Sequence, residues 1–286
     1  MSIRKANPSV SRSAYRIGQR LLAHLKKDGM SQTAAVIRKN LMALGRHYGN
    51  RLWDLRHGVD TSGVIQLREL TCAGDTASSI WYEPTPIRTL HQMARHLPSD
   101  LTDFTFVDFG SGKGRTILHA SRLNFTRIIG VEFARELCET ANRNIHSFRC
   151  SRRQCTDIQI ECVDAAEYQI PDSDCVFYFF HPFRGEIMTR VIKNIEQSYR
   201  ANPRVLIILY YHPRVANQLD ELSLLRKRTE IPMPFDVTAE PCIYRRRLAV
   251  YETVGPRCGK LCRFRSGMNC LIPSSAIQRH AMCPVS

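Results

Sequence analysis

One segment constrains this chain of 286 residues more than any other: Phe104 to Arg115 reads as a buried strand that runs directly into Gly110-x-Gly112-x-Gly114 and then into a helix. An apolar run of strand length carries the backbone to one edge of a sheet. Closely spaced glycines then let it turn sharply and approach a ligand, because a Cβ there would occupy the ligand's volume. The first N–H groups of the new helix have no partners within it and can bond polar ligand atoms.

From that segment onward, apolar runs of strand length alternate with helical patterns, which predicts βαβ units and a parallel sheet. Strands are expected near 104–108, 127–131, 158–162, 175–180, 204–211, 236–240 and 247–253, with helices starting near Gly114, Arg135, Gly185 and Pro213. In the third of these helices Ile187, Val191, Ile195 and Tyr199 recur every four residues and mark a core-facing stripe. Pro84 and Pro86 open a further helix that runs to Leu97. The expected fold is α/β: a doubly wound, mostly parallel seven-stranded sheet with a helical N-terminal extension. Residues 1–50 form that extension, with Leu21, Leu22, Leu25, Val36, Ile37, Leu41 and Leu44 at helical spacing and a break at Asp28-Gly29. Residues 51–254 form the main domain, and 255–286 a Cys-containing basic tail of little order.

The formal charge is +15, which taken alone points to nucleic acid or an acidic membrane. Its distribution says otherwise. Residues 1–50 carry +9 and residues 255–286 carry +5, which leaves +1 for residues 51–254. Binding of nucleic acid through the ends is therefore weakly supported, and no run of about 18 apolar residues is present to span a membrane. The 11 cysteines are odd in number and scattered, and Cys138, Cys162 and Cys175 fall inside expected elements. That suits the reduced thiols of a cytoplasmic protein. The acid-free start of the chain matches both a transit peptide and a basic leader helix. Cys258, Cys262, Cys270 and Cys283 match no compact zinc module, so no metal is expected.

Spacing discriminates among glycine-rich turns. A dinucleotide fingerprint needs Gly-x-Gly-x-x-Gly, but Arg115 stands at the third glycine. A P-loop needs Gly-x-x-x-x-Gly-Lys-Ser/Thr, but Val107 stands at the first glycine and Gly114 follows Lys113. The tighter Gly-x-Gly-x-Gly after Val107-Asp108 resembles motif I of the class I (Rossmann-like) S-adenosylmethionine-dependent methyltransferases. The resemblance implies that Asp108, Gly110, Gly112 and Gly114 surround the methionine end of the cofactor. Glu132 closes the second core strand 22 residues after Gly110. In isolation it reads equally as a solvated strand-end charge or as an acceptor for two ribose hydroxyls, and the glycines favour the second. Asp164, after the third strand, resembles the adenine-binding acidic position of the family and also suits a helix N-cap.

The fourth strand ends in Phe180-His181-Pro182-Phe183, which resembles motif IV of N-methyltransferases, an Asx-Pro-Pro-aromatic turn. Here His181 replaces the Asx and a single proline precedes Phe183. The resemblance implies Phe180 as a cofactor contact and Phe183 as a wall of the acceptor pocket. His181, with an ordinary pKa near ~6.5, can take or relay the departing proton or serve as a hydrogen-bonding spacer. Tyr211-His212-Pro213 repeats the pattern at the next strand end, where the proline also suits a helix start. The stretches Gly58 to Gly63, Tyr82 to Pro86, Phe106 to Arg115, Gly130 to Glu132 and Phe180 to Phe183 together resemble an uncharacterised bacterial group of that class. In related protein-lysine methyltransferases a Tyr-x-Pro-Thr/Ser segment closes over the cofactor, which implies Tyr82, Glu83 and Thr85 as lid contacts. The function so implied is methyl transfer from S-adenosylmethionine to nitrogen on a protein or small molecule. The rival is a non-catalytic Rossmann-like module that docks on RNA or a partner protein through its basic ends.

Overall fold

The computed structural model describes residues 29, 30, 34, 37, 45, 48–66, 81–180, 185–233 and 246–254. Strand β3 (Phe104–Phe109) is buried at all six positions, so it needs cover on both faces and neighbours on both edges. Parallel strands β4 (Arg127–Glu132) and β6 (Asp174–Phe180) flank it, with Asp108 in register with Gly130 on one side and Tyr178 on the other. Outward lie β5 (Ile158–Cys162) beside β4 and β7 (Leu206–Tyr211) beside β6. Antiparallel β9 (Arg247–Thr253) pairs with β7, and β8 (Leu225–Pro232) closes the edge, giving the order β5-β4-β3-β6-β7-β9-β8. A separate two-stranded ribbon joins β1 (Ile65–Gln66) to β2 (Trp81–Tyr82).

Side chains alternate across the sheet, which separates two cores. Phe106, Val176, Tyr178, Ile207, Leu209, Leu248 and Val250 share one core with Leu90 and Met93 of α2 (Ile87–Ala94), Ile117 and Leu118 of α3 (Arg115–Ala120) and Ile145 of α4 (Arg135–Ser147). Val107, Phe109, Phe177, Phe179, Ile208 and Tyr210 face the other way. They pack on Met188, Val191, Ile192 and Ile195 of α5 (Gly185–Ala201) and Leu219 of the single-turn α6 (Asn217–Asp220). Helices on both faces make the sheet doubly wound, as expected.

The strand read at 236–240 lies outside the described residues, and among those described a strand not anticipated from the sequence, Leu225–Pro232, forms the edge of the sheet. Its sequence, Leu-Arg-Lys-Arg-Thr-Glu-Ile-Pro, hides it from an apolar pattern because an edge strand with one neighbour stays largely in contact with water. The helix expected from Pro213 contracts to the one turn of α6. At the N-terminal side, residues 48–57 form helix α1, which crosses residue 50 and packs on the main domain through Trp53 and Asp54. Leu21, Leu22, Leu25, Val36, Leu41 and Leu44, and the tail from residue 255, lie outside the described residues.

Candidate functional site

Chain order reverses between β3 and β6, and in doubly wound sheets the carboxyl ends at such a reversal border the ligand crevice. The glycine turn sits there. Gly110, Gly112 and Gly114 have φ of 78°, 53° and 83°, the left-handed region that side chains strain to enter. Gly110 and Ser111 donate their N–H groups to the carbonyl of Val131 at 2.9 and 3.1 Å, which fastens the turn to β4. Gly112 donates to Oε2 of Glu132 at 2.8 Å, while Phe133 and Ala134 both donate to Oε1 at 3.0 Å.

Glu132 is thus a buried, bonded carboxylate rather than a solvated strand-end charge. Burial raises its carboxyl above the usual range, against the lowering effect of the three N–H donors. Asp108, two residues before Gly110, is raised further: burial is the main cause and the charge of Glu132 adds to it, while a hydrogen bond from Thr116 opposes both. Ser111 Oγ, also buried, has no partner among the described residues. Two buried carboxyls and one unpaired hydroxyl make a cradle suited to a ligand that brings positive charge and hydrogen-bonding groups.

The glycine at 112 serves a neighbour as well as a ligand. A Cβ there would stand 2.2 Å from Cδ2 of Tyr82, so the ring packs directly on the turn. Tyr82 Oη donates to the carbonyl of Thr61 at 2.7 Å, and burial pushes its phenol well above the ordinary value. Three residues on, Thr85 Oγ1 shares a hydrogen bond of 2.8 Å with Tyr178 Oη in the middle of β6. Glu83 pairs with Arg246 at 2.8 Å, and that guanidinium lies 4.9 Å over the Phe180 ring and 5.7 Å over that of Tyr211. Tyr82 therefore lies on the turn after β3, Glu83 and Phe180 meet through Arg246 at the ends of β6 and β7, and Thr85 bonds within β6.

A second layer was invisible in the sequence. Arg115, which spoils the dinucleotide fingerprint, is 1% exposed. Its Nε donates to Thr61 Oγ1 at 2.7 Å, Nη1 to Asn50 at 2.8 Å, and Nη2 to Ser62 Oγ at 3.1 Å and Asp54 Oδ1 at 3.3 Å. Asp54 in turn accepts from the Thr61 and Ser62 N–H groups at 2.9 and 2.7 Å and from Thr61 Oγ1 at 2.6 Å. Lys113 reaches Asp60 at 3.1 Å, and Asn144 of α4 donates to the carbonyls of Asp60 and Lys113, both at 2.9 Å. The segment Asp54 to Ser62 is thereby strapped across the glycine turn. The only local signal was a polar Arg at a position of the turn where the fold buries everything.

Asp164 uses Oδ1 to accept from the Ala166 N–H at 2.8 Å and so caps the turn after β5; the carboxylate is half-buried. His181 and Phe183 lie outside the described residues. His212, at φ 57°, accepts from Arg214 Nε at 2.9 Å, and burial together with Arg246 and Arg214 lowers its pKa to about 4. Among the described residues no group of His, Cys, Asp and Glu is placed to hold a metal, the cysteines are unpaired, and no helix is long and apolar enough to cross a membrane.

The order β5-β4-β3-β6-β7-β9-β8, five parallel strands followed by an antiparallel pair at one edge, is the mostly parallel seven-stranded sheet expected from the sequence. No family model matches the chain, and no curated protein matches it. Solved structures do. A protein described as a putative RNA methyltransferase from Pyrococcus horikoshii is 15% identical over 58% of this chain and 79% of its own, with a TM-score of 0.43. Precorrin 8w decarboxylase of Methanobacterium thermoautotrophicum is 15% identical over 64% and 97%, with a TM-score of 0.42. An RNA methyltransferase from Salinibacter ruber, in complex with S-adenosyl-L-homocysteine, is 17% identical over 59% and 92%, with a TM-score of 0.36.

Proposed function

We propose that this protein is an S-adenosylmethionine-dependent methyltransferase that delivers the methyl group to a nitrogen of a protein or small-molecule amine. One observation carries the proposal: the glycine turn after β3 and the carboxylate that closes β4 meet at 2.8 Å, beside a second buried carboxyl at Asp108. The pair is electrostatically short of a cation, and S-adenosylmethionine brings an ammonium and a sulfonium. In this assignment Asp108, Gly110, Gly112 and Gly114 hold the methionine end, with Ser111 Oγ as a further donor. Glu132 accepts from the ribose hydroxyls, and Asp164 keeps one oxygen for the adenine amino group. Tyr82, Glu83 and Thr85 form the lid, and Phe180 borders the cofactor.

The cofactor would supply an electrophilic methyl carbon on sulfur. The chain's part is to hold an acceptor lone pair in line with that carbon and to exclude water, and such alignment supplies much of the acceleration. The rings of Phe180 and Tyr211, 4.6 Å apart, and the Arg246 guanidinium above them form an aromatic floor at the ends of β6 and β7. His181 and Phe183 follow Phe180 directly in the chain and are assigned to the acceptor side, His181 to receive the amine proton.

Titration calorimetry with S-adenosylmethionine tests the assignment. Micromolar binding, about −8 kcal/mol, is expected, weakened about ten- to a hundredfold in Glu132→Ala. Undiminished affinity in that variant removes the ribose role, and absence of binding by the wild type leaves the non-catalytic module. Methyl-labelled cofactor incubated with fractionated extract then identifies the acceptor: label in RNA alone refutes the amine assignment.

A further inference from the structure

Residues of α2 and α3, with Phe106 of β3 and Leu209 of β7, line an open-sided cavity of about 360 Å³. That volume lies within the range of small-molecule sites, about 300 to 1,000 Å³. Its walls are mainly apolar, from Leu90, Met93, Phe106, Phe125 and Leu209. Three polar features break them. His119 lines the cavity with Nε2 buried and, among the described residues, without a hydrogen-bond partner. Arg122 and Arg152 both border the space, the first half-buried and the second exposed.

His119 is not an incidental core residue. Its imidazole is stacked against Trp53 of α1 at 5.7 Å and meets His91 of α2 edge-on at 5.2 Å, so the ring is held in one orientation. Burial, with His91 and Arg122 nearby, lowers its pKa to about 3, so the ring is neutral at physiological pH and one nitrogen donates while the other accepts. A buried imidazole nitrogen left without a partner has lost its water and gained nothing in return, a deficit that a ligand group in the cavity would recover. Two guanidiniums bordering a mainly apolar space give it positive charge at its solvent side, which suits a ligand carrying a carboxylate.

We propose that this cavity is a binding site for a small amphipathic carboxylate, an acyl or aromatic acid. Its apolar body fills the space between α2 and β3, its carboxylate meets Arg122 and Arg152, and a polar atom near the buried end bonds to His119 Nε2. The site is separate from the cofactor crevice but shares one wall residue with it: Thr116 lines the cavity and hydrogen-bonds to Asp108.

10-Hydroxydecanoate titrated into the full-length protein, with 1,10-decanediol as the uncharged control and decanoate as the control without the far hydroxyl, tests the proposal. Saturable binding of the hydroxy acid is expected, with the diol at least about tenfold weaker because it cannot pair with the guanidiniums and decanoate weaker because it leaves His119 Nε2 unbonded. Arg122→Gln with Arg152→Gln should remove that preference for the acid. Ala94→Trp, which fills the space from the half-buried face of α2, should abolish binding while leaving cooperative urea unfolding intact. The site is refuted if 10-hydroxydecanoate shows no saturable binding, or if a folded Ala94→Trp variant binds it as wild type does. Because the cofactor takes no part in this titration, the result stands apart from the fate of the methyltransferase assignment.

Discussion

The guanidinium of Arg115 stands 3.3 Å from Oδ1 of Asp54, with the two side chains 1% and 7% exposed. This contact ties α1 to the first residue of α3, immediately after the glycine turn. A buried charge pair is weak evidence of net stabilisation, but removing one member strands the other. Asp54→Ala also orphans the Thr61 and Ser62 N–H groups. Its expected cost is about 3 to 5 kcal/mol in urea unfolding, with Asp54→Asn costing less because an amide oxygen still accepts. A loss under about 1 kcal/mol would show that the strap is ornamental.

Gly112 and Tyr82 should be strongly coupled. Gly112→Ala places a methyl against the Tyr82 ring at a backbone φ of 53°, so it should be destabilising and should also displace the ring. Tyr82→Ala removes the obstacle. A double-mutant cycle should therefore show the two changes to be less than additive, with a coupling of about 1 to 3 kcal/mol. Simple additivity would mean that the penalty at 112 is entirely one of backbone conformation.

Cofactor binding should release protons. Asp108 and Glu132 both have carboxyls raised by burial, and Asp108 is raised further by the charge of Glu132. A bound cation favours their ionised forms, so affinity should increase with pH over the range above about pH 4, where ordinary carboxyls are already ionised. Calorimetry in two buffers of different ionisation enthalpy measures the protons directly. Asp108→Asn should reduce the number released; proton uptake in the wild type would contradict the cradle.

Two imidazoles that the fold holds neutral, one buried and one half-buried, should weaken it in acid. His119 and His212 have pKa values lowered from 6.5 to about 3 and about 4, chiefly by burial. Above 6.5 neither state holds the proton; below it the unfolded chain takes up protons that the folded chain refuses. Stability is therefore intact above the unfolded value and falls as pH drops toward the folded one. The difference in unfolding free energy between wild type and His119→Phe should change steadily across pH 6.5 to 3. A flat difference would mean that His119 takes up its proton as readily in the folded protein as in the unfolded chain.

Much of the parallel core was legible in the residues alone, because a strand buried on both faces is mainly apolar. Leu206–Tyr211 is such a run, as is Phe104–Phe109 apart from Thr105 and Asp108, and both formed where expected. Strand β8 was missed because it is an edge, and four of its eight residues are charged. Gly112 was recognised for a ligand's approach, yet the atoms nearest its missing Cβ belong to Tyr82.

The amino-acid order by itself determined where the buried strands extend, where the glycine turn lies and which face of α5 turns inward, since those depend on neighbours within a few residues. Tertiary structure decided which charges meet. Arg115 finds Asp54 from 61 residues away, and Arg246 finds Glu83 across 163. Nothing in the local pattern distinguishes these from solvated ions. Only closure of the sheet and its helices removes the water that would otherwise satisfy them, and desolvation then makes the partner obligatory.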